Sequence, residues 1–582
     1  MCNLNLRPLI LVLATVILAS CSGLNKMKKN AGQIQYRVNP VVLESHGGKV
    51  DFTIDTRYPS KYFNKKATIV ATPELKYASG ATTLTPASVQ GENVKANNKV
   101  ISYNGGSVSV KEGVVYKPEM AKSELIMNVS ASKGKKKVDF APVKIATGVI
   151  ATSENVVNYP KPIIGVRREA NTTGKYDPNI DPFQRIVPDE MMADIHYQIN
   201  KAEIRKEEVA AKDVADLEEY TKKANADEKV DLKRVEVAAY ASPDGTIDLN
   251  TELAAQRKES STEFLAKKLK EAGVDIELKT KYTPEDWDGF KALMEKSNIK
   301  DKDLILRVLS MYNDPEVRER EIKNLSEAFS GVADEILPQL RRAKMTTSVD
   351  LIGKTDEELK ALAKSNPASL NPAELLYAAT LFESLDEQLE VYNSFIKVYP
   401  NDWRGSNNAG FVLVKQGKYD EAKPLFEKAE TQMNNEPIIK NNLGAVSLKN
   451  GDVKSAETLF GAASGAGNEV NYNLGIVSLK KGEYDKAAKY MIKDSDVNSA
   501  LAKMMTGNNG GALEDLEAYD NPNCFMKEYL KAVIGARTAR ENLLFESLEK
   551  ACKINPDMKA KASNDMEFAK YFENPKFREI TK

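Results

Sequence analysis

One spacing, written three times, constrains this chain more than any other feature. Gly410, Gly444 and Gly475 each follow a small or apolar residue (Ala409, Leu443, Leu474), preceded in turn by Asn408, Asn442 and Asn473. Seven residues after each comes a second glycine (Gly417, Gly451, Gly482), and five further on an alanine (Ala422, Ala456, Ala487). The copies lie 34 and then 31 residues apart. A period of this length describes helix pairs that cannot bury their apolar faces alone and must stack. The spacing predicts an all-helical array over 371–582. A degenerate pair (Pro372–Pro400) precedes the repeats, and further degenerate helices (about Asn498–Phe577) follow as caps.

This punctuation resembles the tetratricopeptide repeat. The resemblance implies a solenoid in which small residues let the two helices of a repeat approach closely, Phe426 and Phe460 fill the space between repeats, and the concave side carries Asn408, Asn442 and Asn473. Lys415, Lys449 and Lys480 stand one residue beyond another expected groove position. The paired-carboxylate clamp of chaperone-binding repeats is not reproduced, since its other positions hold Asn407, Phe411 and Glu469. The implied partner is a peptide or protein of unspecified identity; a purely structural array is the alternative.

A second organising stretch runs from Val235 to Leu269. Val235, Val237 and Ala239 alternate as a strand, and Ser242-Pro243-Asp244-Gly245 supplies turn chemistry. A helix follows, with Leu253, Arg257, Ser261, Leu265 and Leu269 on one face. Tyr240, Gly245, Asn250, Leu253 and Arg257 resemble the OmpA-like domain, including its seven-residue step from asparagine to arginine. The family's aspartate position holds Ser242, and Asp244 lies two residues later. The resemblance implies an α+β domain over 191–353 that docks to peptidoglycan through Ser242, Asp244, Asn250 and Arg257. It opens on a strand carrying Ile195, Tyr197 and Ile199, then a polar helix from about Lys206 to Ala224. A helical insertion spans about 284–345, and 354–370 is a connector. With serine at the aspartate position, the rival reading is a pure assembly module of a secretion, adhesion or motility complex.

Ahead of this domain, Arg7, the apolar run Leu9–Leu18 and Leu18-Ala19-Ser20-Cys21 resemble the signal and lipobox of bacterial lipoproteins. Residues 1–20 are then a signal peptide, Cys21 the lipidated N-terminus and 21–32 a tether. The implied site is the outer membrane, with a periplasmic body; display on the outside is the alternative. From 33 to 158 about seven short strands separated by glycine-bearing turns predict an immunoglobulin-like sandwich, with a small membrane barrel as alternative. Tyr159-Pro160-Lys161-Pro162 opens a proline-rich linker, 159–190, expected to run extended over the surface.

The chain is therefore multidomain: an all-β sandwich, an α+β domain with a helical insertion, and an all-α solenoid. Lysine plus arginine equals aspartate plus glutamate at 83 each, so net charge gives no argument for nucleic acid. Two histidines, far apart, leave little room for a catalytic triad or a zinc site, and no nucleophile elbow or phosphate loop occurs. Neither metal nor cofactor nor enzymatic activity is expected. Cys524 and Cys552 fall at opposite ends of two successive helices, placing them either as two thiols or as a disulfide.

Overall fold

A computed structural model describes residues 23–165, 183–325 and 330–582. Cys21 and the signal segment lie outside the described residues, as does 166–182 of the linker. The chain divides into two compact bodies: Met1–Arg167 with Glu383–Lys582, and Arg168–Phe382.

In the first body, strand alternation builds a sandwich. β1 (Gln35–Asn39), β3 (Lys49–Tyr58) and β8 (Gly106–Val115) form one antiparallel sheet. β4 (Thr68–Tyr77) and β9 (Glu124–Lys133) centre a second, with β10 (Lys136–Asp139) and β6 (Ala87–Gly91) beside them. Period-2 burial sends Val50, Phe52 and Ile54 from one sheet, and Ile69, Leu75, Leu125, Met127 and Ala131 from the other, into one shared core. Two corrections follow. Twelve strands, not about seven, occupy this region, because it also holds the short strands β2 (Leu43–Glu44), β5 (Gly80–Thr83), β7 (Lys99–Ile101), β11 (Val143–Thr147) and β12 (Val149–Ile150). The stretch expected as a tether contributes Leu24 and Met27, each 2% exposed, to the same core. Apolar residues at helical spacing here find a surface to cover.

The helical array of this body explains each glycine. Gly410, Gly444 and Gly475 sit where the two helices of a repeat touch. A Cβ would lie 2.6 Å from Phe426 at the first, 2.7 Å from Phe460 at the second and 2.6 Å from Met491 at the third. Phe426 and Phe460 thus fill the inside of their own repeats, and Phe426 also shares a core with Leu443 and Val446 of the next. Gly417, Gly451 and Gly482 adopt φ of +80°, +85° and +75° just past the first helices, a conformation glycine takes without strain. Gly444→Ala should lower stability by about 1–3 kcal/mol, because aromatic and new methyl cannot share the space. Gly461→Ala, on a helix with nothing within 4 Å, is the control. A urea midpoint that falls only for Gly444→Ala checks this.

The sandwich seats on the array. His46 Nδ1 and Tyr484 Oη are 3.1 Å apart. Thr152 donates to Glu567, and Lys561 to Asn155. A Cβ on Gly47 would meet the Lys481 backbone at 2.9 Å.

In the second body, β13 (Ile186–His196), β14 (Val230–Tyr240), β15 (Leu278–Thr283) and β16 (Arg342–Ile352) form one sheet in the order β13-β16-β14-β15. β14 and β15 run parallel; the other pairs are antiparallel. Helices Lys212–Ala226 and Ile247–Glu271 pack on it through Val214, Leu217, Leu265 and Leu269. Here too expectations shift. Strand β13 begins inside the span read as linker, and it stops before Ile199, which is 58% exposed. The polar helix is broken at Ala210 into Lys206–Val209 and Lys212–Ala226. The insertion makes a separate small core of Phe290, Met294, Ile305, Leu309, Ile336 and Leu340. The connector contains a helix, Asp356–Ser365, fixed by a Thr355/Glu358 capping box. Among the described residues no helix is long and apolar enough to cross a membrane.

Candidate functional site: an asparagine ladder holding the chain's own strap

The first helices of successive repeats, Trp403–Lys415, Pro437–Lys449, Asn468–Lys480 and Val497–Met505, bring Asn408, Asn442, Asn473 and Asn498 into one row. All four are buried, at 0–1% exposure. A buried carboxamide must be paired on both its donor and its acceptor side. Asn498, Asn473 and Asn442 pair both sides with the backbone of residues 157–163, and Asn408 pairs its acceptor side with Gly165, so this segment crosses the groove as a strap.

The pairing is regular. Asn498 accepts from Val157 N–H and donates to Val157 C=O, both at 2.9 Å. Asn473 accepts from Lys161 N–H at 2.7 Å and donates to its carbonyl at 2.8 Å. Asn442 does the same with Ile163, at 2.7 Å each way. Asn408 accepts from Gly165 N–H at 2.7 Å. Asn441 and Asn407 add bonds to the Lys161 and Ile163 carbonyls at 3.1 and 3.3 Å. The amides also bond one another, Asn442 to Asn407 at 2.8 Å and Asn473 to Asn441 at 2.9 Å. Such a network holds its members in one orientation.

Proline makes this register natural. The groove takes N–H groups from residues 157, 161, 163 and 165, whereas Pro160 and Pro162, which have none, fall between them. Their fixed φ also reduces the entropy lost on ordering the strap. Side chains then distinguish positions. Lys161 Nζ stands 3.5 Å over the Tyr472 ring and 2.7 Å from Asp494. Ile163 is 2% exposed within the array core. A Cβ on Gly165 would lie 3.1 Å from Asn408 Oδ1 and 3.4 Å from Trp403. Burial, then the nearby Asp496 carboxylate, push the Tyr472 phenol up, so it remains a neutral hydroxyl.

This corrects the reading of 159–190 as a segment running over the surface: its first residues are held inside the solenoid. Of the three lysines, Lys449 reaches the Asn158 carbonyl at 3.4 Å. Burial pushes the Lys480 ammonium down, opposed by Glu154. Lys415 instead lies over Phe411, 5.6 Å from the ring centre. Asn498 and Asn441 escaped the sequence reading, although the doublets Asn407-Asn408 and Asn441-Asn442 carried the signal. Cys524 and Cys552 are free thiols, and burial pushes the latter up.

In the α+β domain, Ser242, Asp244, Asn250 and Arg257 gather where β14 meets its helix, but their polar groups face inward. Arg257 is 1% exposed. It donates to the carbonyls of Lys201 at 3.0 Å, Tyr240 at 2.9 Å and Gln198 at 3.4 Å. Burial pulls this guanidinium down to about 10, which still leaves it charged at neutral pH. Asp244 accepts from Arg341 at 2.9 Å and from Ser242. Asn250 donates to the Gly245 carbonyl at 3.1 Å. Arg341 is a partner the sequence did not suggest, lying 97 positions from Asp244.

The helical region thus contains tetratricopeptide repeats, and the class of the site is a protein–protein interaction groove. Consistently, a tetratricopeptide-repeat family model matches residues 413–469. Among solved structures, a tetratricopeptide repeat protein from Parabacteroides merdae is similar at 18% identity, with 36% of this chain and 91% of that one covered, TM-score 0.28. YrrB, described as having an unusual peptide-binding site, is similar at 21% identity over 36% of this chain and 99% of its own, TM-score 0.21. The APC/C hetero-tetramer Cut9–Hcn1 gives 11% identity, 56% and 66% coverage, TM-score 0.31. No curated protein matches the chain.

Proposed function

We propose that this protein is a non-enzymatic, lipid-anchored scaffold subunit of a bacterial outer-membrane assembly, with its body in the periplasm. Cys21 in Leu18-Ala19-Ser20-Cys21 supports the anchor. Tyr240, Gly245, Asn250, Leu253 and Arg257, on a sheet with two covering helices, support an OmpA-like module that joins protein partners. The observation that favours a scaffold over a peptidoglycan adaptor is the enclosure of Arg257. A wall carboxylate would have to reach a guanidinium that is 1% exposed and already holds three backbone carbonyls, and Asp244, the acid of the turn, is already paired with Arg341.

Two measurements test the reading. Full-length protein mixed with purified sacculi should stay in the supernatant; pelleting that soluble stem-peptide fragments compete away would establish the adaptor instead. Mass spectrometry of the mature N-terminal peptide should find acyl chains on Cys21, and Cys21→Ser should move the protein to the soluble fraction. An unmodified Cys21 in a membrane-bound protein overturns the anchor.

A further inference from the structure

The strap is held as a ligand is held. The asparagines address N–H and C=O of the same residue, groups that any extended peptide offers. Three positions distinguish one peptide from another: the Tyr472 ring and Asp494 carboxylate that meet Lys161, the apolar seat for Ile163, and the place beside Trp403 and Asn408 where a side chain at 165 would press on both. Most of the apolar core of the array comes from its own helices. From the strap, Ile163 joins the main helical core, with Val156 and Val157 packed against it, and Pro160, Pro162 and Gly165 are buried beside it.

We propose that the groove is a receptor for an extended peptide of the form Lys-Pro-Ile-x-Gly carried by another protein, and that Val156–Gly165 is its resident competitor. The inference rests on the scaffold reading and supplies the chemistry of the partner: a basic residue, proline, an aliphatic residue and glycine, in a strand with no N–H required at the proline. A tethered competitor acts at an effective concentration in the millimolar range, so it suppresses a micromolar guest by about 10²–10³-fold. The receptor is masked until the strap leaves.

The test uses full-length protein and a fluorescein-labelled peptide with the sequence of residues 156–165, read by anisotropy. Wild type should bind at least about 100-fold more weakly than the strap variant Lys161→Ala/Ile163→Ala. Adding Asn442→Ala to that variant, or replacing the peptide's lysine by glutamate, should weaken binding at least about tenfold. If the double variant loses helicity, Lys161→Ala alone takes its place, with the same ordering and a smaller gap. A helical strap variant that takes up no peptide overturns the inference, as does wild type binding as tightly as the variant. Either result leaves the scaffold reading standing, because that is tested at the membrane and the wall.

Discussion

Replacing Ile163 by aspartate is expected to empty the groove. Isoleucine at this position is all but fully buried, and its removal forfeits about 1.5–3 kcal/mol of apolar burial. The carboxylate would stand in an apolar seat with no cation assigned to it, at a further cost of several kcal/mol. The chain has an escape: the strap can leave, so the observable loss is capped by the free energy that holds the strap in place. Seven strap–asparagine bonds link residues 157, 161, 163 and 165 to Asn498, Asn473, Asn442 and Asn408. At about 0.5–1.5 kcal/mol net apiece, they are worth several kcal/mol together. Ile163→Asp should therefore keep its helicity while the strap becomes sensitive to protease. Trp403 reports the event directly, since it packs beside Gly165 and shares the chain with one other tryptophan, Trp287. In a Trp287→Phe background its emission should shift to the red. An unchanged emission and cleavage pattern would mean that the strap is not held through Ile163.

The second large effect is at Arg257. Truncation to alanine takes a charge-delocalised fork, 1% exposed, away from the Lys201, Tyr240 and Gln198 carbonyls, of which Gln198 keeps the Lys201 N–H. Carbonyls left without a donor cost about 1–3 kcal/mol where they are buried, and the emptied side-chain space adds to that. Arg257→Lys should rescue little, because an ammonium is a point donor and cannot span three carbonyls set around a planar group. With Trp403→Phe in the background, Trp287 reports the α+β body alone, and its denaturant midpoint should fall in both variants. A variant that kept full stability while losing a ligand would assign Arg257 to binding instead of architecture.

These two residues also mark how far the sequence could be read. The array was legible because its glycines answer to short-range geometry: one touches the partner helix, the next ends the first helix in a left-handed turn. The row Asn408, Asn442 and Asn473 was legible for the same reason, as a repeat within a repeat. Its occupant was not. The contacts of Ile163 with Asn442 span 279 positions, and a Pro-Lys-Pro segment has the composition of a solvated linker. Arg257 was visible as an anomaly on an apolar helix face. Its partners, however, are backbone carbonyls, which leave no trace in residue identity, and a carboxylate ligand was the chemistry that side-chain reasoning could supply. Arg341 closing on Asp244 is a comparable case, fixed only once β16 inserts beside β14.

Hydrogen exchange on the full-length protein tests the central claim most directly, that the groove is filled by residues 156–165. The amides of Val157, Lys161, Ile163 and Gly165 should be protected to the level of the repeat helices, and Asn442→Ala/Asn473→Ala should release that protection while the helices retain theirs. Exchange of this segment in wild type at the rate of an unstructured peptide would contradict it.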